Sequence, residues 1–196
     1  MGRGYFKELR TRLAQREACQ SLPFSGGYLM KKMALFLFLT VAIAGSAIAS
    51  RADAQSNDSA AITALYQQFA NAFRHKDLNA IMLPYIHSNA LFVFDVSTPR
   101  EHVGWDNYRA DWKGFFDSIK GNPRLSISEL SVTISGDVAY TRSIQSLTGN
   151  MGNLHAMAVR VTDVLRKVNG KWLIVQEHVS VPINFTTLKP DFMSRP

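Results

Sequence analysis

Asp95, Asp163 and His178 are the side chains of this sequence best suited to moving a proton. A carboxyl group in an apolar cavity has its pKa raised toward neutrality and can act as a general acid or base. An imidazole beside a carboxylate titrates in the same range. Asp95 ends the apolar run LFVF and precedes Ser97-Thr98-Pro99. It either faces an apolar interior as a base or accepts backbone N–H groups in that turn. His178 either reaches a pocket or is a structural histidine tied into a sheet. Asp163 and Gln176 either satisfy each other or line a polar floor, and the first reading is preferred. Arg142, in VAYTRSIQS, anchors a carboxylate ligand if it points inward and is a solvated strand residue if it points outward.

These groups are positioned by a hairpin. In RVTDVLRKVNGKWLIVQEHVSVP, residues 160–182, two alternating runs flank Asn169-Gly170, which suits a two-residue type I′ turn. Strict alternation pairs Lys167 with Trp172, Leu165 with Ile174, Asp163 with Gln176 and Val161 with His178. Trp172, Ile174, Gln176, His178 and Ser180 would then share an inner face with Leu165, Asp163 and Val161.

Upstream, Asn57, Asp58 and Ser59 are N-cap candidates before a helical stripe of Ile62, Leu65, Tyr66, Phe69, Ala72 and Phe73. Arg74, His75 and Lys76 suit its last turn. Asp77 caps a short helix that stops at Pro84. Residues 89–96 read as a strand. Residues 105–119 read as a helix whose Tyr108, Trp112, Phe115 and Phe116 form a core stripe, closed by Gly121-Asn122-Pro123. Period-two strands follow at 124–135, 138–147, 154–168 and 171–181. Helices followed by antiparallel strands predict an α+β fold, with helices on one face of a curved sheet.

Composition and the N-terminal region exclude several functions. From Met30, Lys31 and Lys32 precede a short apolar core and a small-x-small site ending at Ala54, the pattern of a signal peptide over residues 30–54. Residues 1–29 precede it and read as an over-long gene start. The domain is expected over residues 55–196, secreted and periplasmic, meeting the membrane only through the signal segment before cleavage. Of the chain's 22 Lys/Arg and 15 Asp/Glu, that part keeps 14 and 12, so the net charge of +7 shrinks to +2. No basic patch points to nucleic acid. Cys19, the only cysteine, lies in the part removed. His87, His102, His155 and His178 lack metal-ligand spacing, and no cofactor motif occurs, so neither metal nor cofactor is expected.

FDVSTPREHVGWDNYRADW, the hairpin and the terminal KPDFMSRP resemble the NTF2-like superfamily, in particular its bacterial secreted SnoaL-like or ketosteroid isomerase homologs. The resemblance covers about residues 56–196. It implies a cone-shaped fold of three N-terminal helices on a curved antiparallel sheet. It also implies a homodimer through the outer sheet face, which would carry Arg160, Thr162, Val164, Leu173, Val175, Glu177 and Val179. By this resemblance Asp95 takes the catalytic base position. Phe69 stands where the isomerase's oxyanion tyrosine would be, and either Arg160 or Asp163 falls near its second oxyanion group. A missing donor costs roughly 3–4 kcal/mol of transition-state stabilisation, which argues against steroid isomerisation by that mechanism. Trp112, after R-x-D, becomes a pocket wall. The expectation is a small, largely apolar ligand in a pocket lined by Tyr85, Asp95, Trp112, Arg142, Asp163 and His178, with Asp95 or His178 moving a proton. The alternative is a non-catalytic binding or assembly module.

Overall fold

Helix α1, residues 53–75, turns one apolar stripe inward: Ile62, Tyr66, Phe69, Ala72 and Phe73 are all buried. The structure, a computed structural model, describes residues 53–152 and 154–193, which belong to a unit spanning Ala52–Pro196. The expected extension and signal segment lie outside the described residues, except for positions 53 and 54. Those two are already helical, so Asn57, Asp58 and Ser59 sit inside α1 rather than at its cap. Asp58 has another task. Its carboxylate accepts from Lys167 Nζ at 2.6 Å and Trp172 Nε1 at 3.0 Å, tying α1 to the distant hairpin. The hydrogen bond from Lys167 is the main reason its pKa is lowered.

Lys76 ends α1 with φ 51°, and Asp77 N bonds Ala72 O while Lys76 N bonds Phe73 O. This is the Schellman pattern, here with lysine where glycine is usual. The Lys76 ammonium is held by Ile119 O at 2.6 Å. Asp77 then caps helix α2, Leu78–Met82, by accepting from Asn79 N and Ala80 N. Helix α3, Trp105–Ser118, buries Tyr108 and Phe116.

The strands are β1 (Phe92–Phe94), β2 (His102–Val103), β3 (Lys120–Ser135), β4 (Val138–Met151), β5 (Leu154–Val168) and β6 (Lys171–Ser180). They form one sheet in the order β2-β1-β6-β5-β4-β3. All its pairs are antiparallel except β1 with β6, which is parallel. Gly121-Asn122-Pro123 lies within β3 instead of forming a closing turn. A further small hairpin joins β7 (Ile183–Asn184) and β8 (Lys189–Pro190). The main core packs α1, α2 and α3 over the inner sheet face, around Leu165, Trp172 and Ile174.

Asn169 and Gly170 both have positive φ, as the two-residue turn requires, and Lys167–Trp172 and Leu165–Ile174 pair as expected. Beyond that point the register slips. Val164 pairs with Gln176, leaving Val175 as an extra residue in β6. A bulge of this kind re-aims the residues that follow it, and one residue of shift exchanges the two faces. Asp163 therefore pairs with Glu177, not Gln176, and Thr162, not Val161, pairs with His178. Glu177 turns inward and is buried, whereas Gln176 and His178 turn outward and are exposed.

Candidate functional site

One row of paired residues crosses the inner face: His102, Val93, Glu177, Asp163, Thr141 and Val132. Five of the six are buried, and four of those buried five are polar or ionisable. Two adjacent carboxyl groups in an apolar interior cannot both carry charge, so they hold a proton between them. The helical side supplies the groups that make this tolerable. Tyr66 of α1 donates to Asp163 Oδ2 at 2.5 Å and lies 2.5 Å from Thr141 Oγ1. Tyr85, just past α2, donates to Glu177 Oε2 at 2.9 Å, and Tyr108 of α3 donates to Oε1 at 2.7 Å.

Burial pushes the Asp163 pKa up to about 6, opposed by hydrogen bonds from Tyr66, Glu177 and Thr141. Burial also raises Glu177 well above the usual carboxylate range, and the charges of Asp163 and Asp95 raise it further. Glu177 is thus the protonated member. Its proton has a natural acceptor in Asp163 Oδ1, which receives no other hydrogen bond. Burial is likewise the main cause holding the three tyrosine hydroxyls protonated.

Beside this pair opens a cavity of about 320 Å3, within the size range of small-molecule sites. Its walls include Phe69, Phe73, Tyr108, Trp112 and Phe115 on the helical side and Gln145, Leu147, Met157, Val159, Val161 and Val179 on the sheet side. Glu177, Asp95 and Asp111 contribute its carboxyl groups, and among the described residues its lining contains no lysine, arginine or histidine. Asp95 is partly exposed and accepts from Ser97 N at 3.2 Å. Asp111 is tied by Oδ2 to His102 Nδ1 at 2.6 Å. Trp112 is ringed by Phe69, Phe73, Tyr108, Phe115 and Phe116, with centroids 5.3–6.2 Å away. Chemically, the cavity sets a carboxylic acid that donates beside an aspartate placed to accept.

The expected residues are distributed unevenly. Asp95 and Trp112 line the cavity. Tyr85 and Asp163 stand behind Glu177 rather than at the wall. Arg142 is exposed and pairs with Thr162 on the outer face, so it offers the cavity no anion anchor. His178 is also outside, 5.6 Å from the Phe94 ring. Glu177 and Val179, expected on the outer face, line the cavity instead. The bulge at Val175 accounts for the outward His178 and the inward Glu177 and Val179. The residue that sequence reasoning missed is Glu177, and its signal was present. Val175, Val179 and Val181 fall out of phase with Trp172 and Ile174 in strict alternation. Such a phase slip marks a bulge.

The SnoaL-like domain family matches residues 62–184, more than half of the 196-residue chain. No curated protein matches the sequence. Among solved structures, an NTF2-like protein of unknown function from Pseudomonas putida KT2440 is 23% identical. It matches over 72% of this chain and 98% of its own, with a TM-score of 0.66. A putative dehydratase of the NTF2-like family from Streptomyces avermitilis is 14% identical, over 66% and 99%, with a TM-score of 0.59. A ketosteroid isomerase-like protein from Erwinia carotovora atroseptica SCRI1043 is 23% identical, over 62% and 93%, with a TM-score of 0.51. Likeness at these identities establishes the shared fold.

Proposed function

This chain belongs to the SnoaL-like domain family, and on that premise we propose that it is a cofactor-independent isomerase or lyase acting on a small, largely apolar, uncharged carbonyl compound. The observation that carries this reading is the Glu177 carboxyl group, held protonated at the cavity wall by burial and close to the ionisable Asp95. In this reading Glu177 donates to the substrate's carbonyl oxygen as the enolate develops, and Asp95 removes the neighbouring carbon-bound proton. Glu177's proton turns from Asp163 to the substrate oxygen in this step; Asp95 then returns its proton to the product carbon and the enol oxygen returns Glu177's, so both carboxyl groups recover their starting states. His178, expected as the alternative to Asp95 for moving a proton, faces outward and has no part in this reading. The dehydratase and isomerase-like descriptions of two structural relatives favour proton transfer as the reaction class. An anionic ligand would meet Asp95 and Asp111 with no cation among the described lining residues, which favours a neutral one.

Cyclic ketones and enones should raise the melting temperature with dose, because a ligand bound only to the native state stabilises it. In D2O the protein should exchange their α-protons faster than buffer does, read by proton NMR. Matched carboxylates should do neither. Stabilisation without exchange would leave a non-catalytic binding module. No stabilisation by any of these compounds would remove the pocket reading.

The outer sheet face fits the homodimer this reading includes. Phe92, Val164 and the half-exposed Tyr140 lie in one row across it, with Gln176 between Phe92 and Val164. Sedimentation at micromolar concentration should give a dimer, and Tyr140→Lys should give a monomer. A monomeric wild-type protein would sink the dimer.

A further inference from the structure

Strand β4 turns Thr141, Ser143 and Gln145 toward the inner face, and all three are buried. Thr141 bonds Tyr66 and Asp163. Gln145 has no such help. Its neighbours across the strands are Ile127 and Val159, and Leu147 lines the cavity beyond it. Ser143, on its other side, keeps its hydroxyl without a hydrogen bond, so the amide does not turn back to it. Among the described residues the Gln145 amide finds no hydrogen-bond partner, although the residue is only 7% exposed. A buried amide in that state forfeits the hydration it had in the unfolded chain, and such groups are rare. What Gln145 faces is the cavity, whose wall it helps to form.

The register places this amide relative to the acid. Glu177 pairs with Asp163, and Asp163 with Thr141, whereas Gln145 pairs with Val159. From Thr141 to Gln145 the strand rises by about 13 Å. The row between them holds Val179, Val161 and Ser143. Val161 and Val179 line the cavity there. The cavity thus has a proton-donating acid toward one end, a neutral amide toward the other and apolar wall between. A primary amide both donates and accepts, and a hydroxyl is the small neutral group that can answer either half of it.

We infer that Gln145 is a specificity-determining residue of this cavity: its amide hydrogen-bonds a hydroxyl group that the ligand carries at the end remote from its carbonyl. The inference rests on the proposed function and narrows its substrate class to hydroxy ketones whose two oxygens lie at opposite ends of an apolar body. A few placed polar groups in an apolar pocket set the orientation of what binds. With the hydroxyl on Gln145, the carbonyl end is left for Glu177 and Asp95. A ligand without the hydroxyl leaves the amide unpaired beneath an apolar group, which is where a site discriminates strongly.

Two cyclohexanones test this on the full chain, one bearing a phenyl group opposite the carbonyl and one bearing the para-hydroxyphenyl group there. Affinities come from calorimetric titration. Wild type should bind the phenol about tenfold more tightly, against the trend of hydrophobicity. Gln145→Met keeps the length of the side chain without the amide, and should abolish or reverse that preference. It also removes an unpaired buried amide, so it should melt no lower than wild type. Equal wild-type affinities for the two ketones overturn the inference and leave the proposed function standing, whether or not the variant folds. A preference that survives in the folded variant does the same. A preference lost in the variant, with no α-proton exchange by wild type, supports the role of Gln145 and overturns the catalytic reading. If wild type binds neither ketone, both fall.

Discussion

Glu177→Gln is expected to slow α-proton exchange by about 10²–10⁴-fold, the usual contribution of a positioned acid or base, while the melting temperature at pH 7 changes little. Glu177 is protonated in the folded protein, so glutamine reproduces both its neutral charge and its shape. The amide oxygen still accepts from one tyrosine. The amide nitrogen donates to the other hydroxyl oxygen and toward Asp163 Oδ1, which otherwise has no partner. What glutamine lacks is a proton it can give up. Glu177→Ala makes the contrast: it leaves the Tyr85 and Tyr108 hydroxyls and Asp163 Oδ1 buried without partners. Each such group costs about 1–3 kcal/mol, so the alanine variant should melt far lower. Exchange rates and thermal melts of the two variants separate chemistry from folding. Wild-type exchange by a well-folded Glu177→Gln protein would remove Glu177 from the mechanism.

Local signals placed most of the frame. Asp77 caps α2, the aromatic spacing of residues 105–119 builds α3, and Asn169-Gly170 sets the turn of the β5–β6 hairpin. Each of these depends on a few residues adjacent in sequence. The parts that were not legible depend on long-range context. β1 joins β6 in parallel across more than eighty residues, and a three-residue strand carries no sign of its partner. β2, β7 and β8 are two residues each, too short for any period. The site suffered most because a single inserted residue, Val175, reverses the faces of everything after it. The composition also misled, since a glutamate in a strand is expected to face water. Three tyrosines from separate elements make the inward position tolerable, and no spacing in the sequence announces that Tyr66, Tyr85 and Tyr108 converge. Asp95 and Trp112 were easier because each lies beside a recognisable boundary or stripe. Arg142 faces outward for the ordinary reason that a charged strand residue keeps its hydration, and His178 because the bulge at Val175 turned it there.

Stability is expected to fall as pH rises from about 4 through 6 and beyond, because the buried pair binds protons more tightly in the folded state than in the unfolded one. Asp163 titrates at its ordinary 3.8 when unfolded and at about 6 when folded. Between those values the native state holds the extra proton, and the stability of unfolding has a negative slope with pH. The contribution is fully present below about pH 4 and is lost as pH passes the folded value. A shift of this size corresponds to something on the order of 3 kcal/mol. Glu177, raised for the same reason, carries the decline to higher pH. Asp58 works in the opposite sense, but its pKa is lowered from 3.8, so it acts below this window. Urea melts at pH 4, 5, 6, 7 and 8 would give the slope, and Asp163→Asn should flatten it between pH 4 and 6. A wild-type protein that gains stability across that interval, or an asparagine variant that keeps the wild-type slope, would show that the pair does not share a proton in the folded state.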